Sequence, residues 1–70
     1  MSNIQFYRKK AGLTQGGLAE LCGWSGSSRV GNYEAGIRTP GVEDLQSIRA
    51  ALAKKKVRVT LEQLIGNTAA

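Results

Sequence analysis

Residues Leu13 to Tyr33 read LTQGGLAELCGWSGSSRVGNY, and two short helical patterns meet inside them at a tight break. Leu18, Leu21 and Cys22 fall at i, i+3 and i+4, one face of a helix. Thr14 precedes that face, and its hydroxyl can accept a hydrogen bond from a free first-turn amide, so it reads as an N-cap. Gly23 follows Cys22; without a Cβ it adopts positive φ, which ends a helix and turns the chain in one step. Ser25 or Ser27 can then cap a second helix, whose Val30 and Tyr33 sit at i and i+3. Ala19 faces the joint, where a small side chain lets two helices approach. Helix, glycine turn, helix is the helix-turn-helix pattern, whose second helix enters the DNA major groove.

The flanks extend the pattern into an all-α fold, a compact bundle of about five short helices. Ser2 or Asn3 can cap a first helix running to about Ala11, with Ile4, Tyr7 and Ala11 facing the core and Arg8, Lys9 and Lys10 in its dipole-favoured last turn. The helix from Gln15 to Cys22 carries Gly16 and Gly17 in its first turn. Each costs roughly 1 kcal/mol against alanine inside a helix. Bare amides there suit a phosphate, but a frayed start reads as well. A third helix runs from about Ser27 to Ala35. Its periodicity turns Val30 and Tyr33 inward and Ser28, Arg29 and Asn32 outward, with Ser27 near the start. Arginine can bond a guanine edge with two donors, asparagine an adenine or a phosphate, serine either partner; capping accounts equally for the two serines. Trp24 reads as a core plug, and Gly12 and Gly36 as helix stops.

Gly41 can cap a fourth helix with Glu43 and Asp44 in its first turn and Val42, Leu45, Ile48 and Leu52 as its apolar stripe. Lys54 to Arg58 is the densest charge in the chain, a pattern that is usually solvated, and Val57 to Val59 alternate like a short extended piece. Thr60 and Gln63 match a capping box before a fifth helix carrying Leu61, Leu64 and Ile65, which Gly66 stops. Residues 1–66 form one domain, and 67–70 read as a frayed tail.

In order, Leu13-Thr14-Gln15, Leu18-Ala19-Glu20, Gly23, Val30, Tyr33-Glu34, Gly36, Arg38 and Pro40, with Arg8 in front and Leu45, Ile48 and Leu52 behind, resemble the lambdoid phage repressor and Cro family of helix-turn-helix domains and its bacterial relatives. The stretch from Gly23 to Glu34 is one residue longer than the family's commonest form. Placing the extra residue in Ser25-Gly26 puts Val30, not Arg29, at the buried position. The resemblance implies a lambda repressor-like fold and a structural pair of Arg8 with Glu34. It implies a DNA-bracing role for Gln15 and a backbone-gripping loop at Arg38 and Thr39. It also implies a homodimer on double-stranded operator DNA, joined through the last helix at Leu61, Leu64 and Ile65. The expected function is a phage or prophage repressor; an antitoxin, a restriction–modification controller or a protein-interaction module on the same fold are the alternatives.

Composition agrees with such a partner. Ten basic residues against five acidic ones give a net charge of +5 and a pI near 9.9, and basic small domains suit polyanions. A single cysteine fits a reducing cytosol. No signal peptide and no apolar run of about 18 residues is present, so a cytoplasmic protein off the membrane is expected. The chain has no histidine, no carboxylate pair beside a nucleophile, no metal-ligand spacing and no phosphate-binding glycine loop. No enzyme activity, cofactor, metal or small-molecule substrate is expected.

Overall fold

Four helix stops in this chain use the same device. After each of the first four helices one residue takes the left-handed conformation: Gly12 at φ +74°, Gly23 at +81°, Gly36 at +79° and Lys56 at +65°. The amide one residue further on then reaches five residues back. Leu13 N–H bonds the Arg8 carbonyl at 3.1 Å, Trp24 that of Ala19 at 2.9 Å, Ile37 that of Asn32 at 3.0 Å and Val57 that of Leu52 at 3.0 Å. Each bond satisfies a carbonyl the helix would leave open and fixes the exit direction of the chain.

The computed structural model describes residues 3–65, which form α1 (Ile4–Lys10), α2 (Gln15–Leu21), α3 (Ser28–Ala35), α4 (Val42–Lys54) and α5 (Leu61–Ile65). The fold is all-helical, and no strand occurs among the described residues. The turn lies at Lys55 and Lys56, where the Val57 amide closes back onto α4, and Val57 to Val59 follow it without pairing into a strand. Ser2, Gly66 and the tail at 67–70 lie outside the described residues.

The core is the sum of the inward stripes: Ile4 from α1, Leu18 and Ala19 from α2, Val30 and Tyr33 from α3, Leu45, Ile48, Ala51 and Leu52 from α4, Val59, and Leu64 from α5. Val30, not Arg29, is the buried residue of α3. Ala19 is buried where α2 meets α3. Two apolar expectations need correction. Val42 opens α4 and is 63% exposed, because the first helical residue precedes the turn that covers the stripe; Ala51 takes the inward place instead. Leu64 is fully buried within its own chain. It is a core residue and offers nothing to a second subunit. Leu61 is half-buried against the core and Ile65 is 46% exposed.

Capping follows sequence only in part. Thr14 Oγ1 accepts the Gly17 amide at 2.9 Å, so the start of α2 is capped and not frayed. Thr60 and Gln63 form the reciprocal box, Gln63 N–H to Thr60 Oγ1 at 3.1 Å and Thr60 N–H to Gln63 Oε1 at 2.9 Å. Asn3 makes no side-chain cap on α1. Its Nδ2 donates to the Gln63 carbonyl at 3.0 Å and its backbone amide to the Leu64 carbonyl at 3.1 Å, which ties the first helix to the last.

Candidate nucleic-acid interface

The anchor of the candidate site is a buried polar cluster. Arg8 is 7% exposed. Its Nε and Nη2 donate to the two carboxylate oxygens of Glu34 at 2.6 and 3.1 Å, and its Nη1 to the Leu13 carbonyl at 2.8 Å. Gln15 Nε2 adds a bond to Glu34 Oε1 at 3.0 Å. Two-donor arginine–carboxylate geometry with every donor nitrogen occupied is what a buried charge pair requires. One carboxylate at the end of α3 thereby fixes α1, the α1–α2 turn and the start of α2. Gln15 reaches across α3 beside Gly31, where an added Cβ would stand 3.5 Å from Gln15 Oε1. It braces the joint between the two helices.

Gly17 has a local reason for lacking a side chain, since a Cβ there would meet Thr14 Oγ1 at 3.2 Å, crowding the capping hydroxyl. Gly16 has no such neighbour inside 4.0 Å. Gly23 needs its positive φ, which a side chain would strain.

An open cleft of about 650 Å³ lies between the start of α3 and the first turn of α4, lined by Trp24, Ser25, Gly26, Ser28, Arg29, Asn32, Tyr33, Arg38 and Asp44. It brings together Ser28, Arg29, Asn32 and Arg38 of the residues expected to face DNA. Gln15, Ser27 and Thr39 do not line it. Ser27 makes no capping bond to α3, so its hydroxyl and that of exposed Ser28 are not held by the helix start. Asn32 is half-buried and its carbonyl receives the amides of Ile37 and Arg38, at 3.0 and 3.3 Å. Arg38 and Thr39 are exposed on the loop that follows.

Two lining residues were not singled out from sequence as part of the site. The Arg29 guanidinium lies 4.7 Å from the centre of the Trp24 ring, and Trp24 in turn meets Tyr33 edge-on with centroids 6.3 Å apart. The tryptophan is thus both packed against the core and a platform for arginine. Asp44 accepts the Tyr33 hydroxyl and lies 3.4 Å from Arg29 Nη1. Burial pushes the Tyr33 hydroxyl above its ordinary 10.0, and the Asp44 bond and charge add to the rise; it stays protonated and donates. Spacing could not reveal Asp44, which sits on another helix where its charge already suits the dipole.

Cys22 closes α2 beside this region. Burial, then the nearby Asp44 charge, pushes its thiol up to about 11, so it is a small packing residue with little thiolate. Among the described residues no cluster of His, Cys, Asp and Glu fits a metal ion, and no helix is long and apolar enough to cross a membrane.

A family model described as helix-turn-helix matches residues 4–59, from the first buried residue of α1 to Val59. No curated protein and no solved structure matches the chain. The match takes in the capped α2, the Gly23 turn, outward-facing α3 and the Arg8–Glu34 anchor, and the chain belongs to the lambda-repressor and Cro-like helix-turn-helix family, whose fold is that of DNA-binding transcriptional regulators.

Proposed function

We propose that this protein is a phage or prophage repressor of the Cro or CI type, acting in the bacterial cytoplasm as a homodimer on an inverted-repeat operator and blocking polymerase by occlusion. The observation that carries the reading is the joint placement of Ser28, Arg29, Asn32 and Arg38 along one open cleft, while Val30 and Tyr33 lock the same helix into the core. Side chains near the start of a recognition helix meet base edges, and the loop beyond it meets the backbone. In this reading Gln15 steadies the start of α2, Ser27 and Thr39 contact phosphates at the two ends, and the net charge of +5 supplies salt-dependent affinity by counterion release.

A single α3 reads only a few base pairs. Two of them about a two-fold axis read half-sites one helical turn, roughly 34 Å, apart. Leu61 and exposed Ile65 on α5 are the proposed dimer contacts, and Leu64 supports them from the core. Selection of bound sites from random duplex DNA tests the proposal. Approximate inverted repeats are the expected outcome. On the recovered site Arg29→Ala costs about 1–3 kcal/mol, and much less on random duplex. One chain bound at full affinity to a lone asymmetric half-site overturns the dimer, and no enrichment at all overturns sequence-specific binding.

A further inference from the structure

We infer that Asp44, from α4, is a positioning residue that makes Arg29 a reader of guanine instead of a clamp for phosphate. The inference rests on the reading of α3 as the DNA-facing helix and adds a residue outside it. Arg29 is the second residue of α3 and its side chain is 49% exposed. An exposed arginine ordinarily samples many orientations and takes whichever phosphate comes near. This one is held on two sides. Its guanidinium carbon lies over the Trp24 ring, 4.7 Å from the centroid. Its Nη1 spans both Asp44 oxygens, at 3.4 and 3.5 Å. The carboxylate is itself fixed, because Tyr33, 8% exposed in the core, donates its hydroxyl to the same group.

What remains is chemically specific. Nε and Nη2 of Arg29 have no hydrogen-bond partner among the described residues. Together they form one edge of the guanidinium fork, two parallel N–H donors, and that edge matches the O6 and N7 acceptors of guanine. The carboxylate thus occupies one side of the group and leaves a two-donor edge to be used. It also places a negative charge beside Arg29, which disfavours a phosphate at that spot more than a neutral base edge. Trp24 limits rotation of the plane. Orientation is what separates base reading from backbone gripping.

The test uses the full chain and two probes, the duplex recovered by selection and a random duplex of equal length. Asp44→Asn keeps the size and an acceptor for Tyr33 but loses the charge that holds Arg29. Expected for Asp44→Asn is a loss of about two- to fivefold in affinity for the selected duplex, the range of an exposed ion pair. Affinity for random duplex is expected to hold or rise. Penalties for replacing the contacted guanine shrink, and the slope of log affinity against log salt steepens by about one as the freed arginine finds a phosphate. Arg29→Lys, a point charge without the fork, is expected to lose the same base preference.

The free protein gives an independent reading, because Trp24 is the only tryptophan. Its emission in Asp44→Asn is expected to move toward that of Arg29→Ala. Thermal unfolding reads the fold separately, and Asp44→Ser carries the test if the asparagine variant is too unstable. Equal tightening on both duplexes makes Asp44 a mere competitor and overturns the inference, as does an unchanged base preference or unchanged Trp24 emission. Those outcomes leave the DNA-binding reading standing. A wild-type protein that binds neither duplex overturns both.

Discussion

Glu34 at the end of α3 holds Arg8 of α1 at 2.6 Å across 26 residues of sequence, with both side chains under a tenth exposed. A buried pair of this kind is costly to break because the surviving partner keeps its charge without compensation. Arg8→Met alone is expected to cost about 3–5 kcal/mol, and Glu34→Gln a similar amount. The double variant is expected to cost less than the sum. Denaturant titration of all four proteins gives the coupling energy; a value near zero means the pair contributes no mutual stabilisation.

Lys56 occupies the left-handed position after α4 that glycine fills after the three preceding helices. A side chain there costs roughly 1–2 kcal/mol against glycine, offset in part by the larger chain entropy glycine loses on folding. Lys56→Gly should therefore stabilise the domain by about 0.5–1 kcal/mol. Gly23→Ala should destabilise it by about 1–2 kcal/mol for the mirror reason. Chemical denaturation at one salt concentration measures both signs.

Leu64 and Ile65 are neighbours on α5 with opposite environments, one fully buried and one 46% exposed. Leu64→Ala should destabilise the isolated chain by about 2–5 kcal/mol through lost contacts and a cavity. Ile65→Glu should leave its melting curve within about 0.5 kcal/mol of the parent while weakening binding to a two-half-site duplex more than to a single half-site. Melting curves and gel shifts on the two duplexes separate these effects.

Cys22 sets a pH dependence. Its thiol is pushed from 9.0 to about 11 by burial and the Asp44 charge. Between these values the unfolded chain gives up the proton that the folded chain keeps. This contribution to stability is fully present below pH 9 and is lost as pH rises toward 11. Cys22→Ala should flatten the stability profile in that window. Alkylation at pH 8.5 should be slower on the folded chain than on the denatured one, and equal rates would show that burial gives the thiol no protection.

What sequence could and could not reveal divides along physical lines. The helix stops were legible because three of them carry glycine and the caps at Thr14 and Thr60 carry their signature side chains. The fourth stop was not, since nothing in a lysine announces positive φ. The stripes of α2 and α3 identified Leu18, Val30 and Tyr33, while Leu21 and Cys22 on the same stripe are only partly buried and Ala19 was marked by its small size at the joint. On α5 the spacing of Leu61, Leu64 and Ile65 marked an apolar face without saying whether the same chain or another covers it. The burial of Leu64 and the donations from Asn3 to the Gln63 and Leu64 carbonyls decide that, and the Asn3 bonds span about 60 residues. In the cleft, Arg29 was legible from its position in α3. Its hold on Trp24 and Asp44 was not, because each of those residues already had a sufficient local role.

The two bonds from Asn3 to α5 join the first and last described helices, and they bear on the order of events in folding. The C-terminal ends of α1 to α4 are closed by turns drawn from their own neighbourhood, and such closures form early because little chain must be gathered. The Asn3 bonds require nearly the whole chain to be in place. They belong to the native side of the folding barrier, so Asn3→Ala should speed unfolding and leave the folding rate almost unchanged, a φ-value near zero in stopped-flow kinetics. The clasp then governs how long the folded domain lasts, while the glycine stops govern how quickly it is reached.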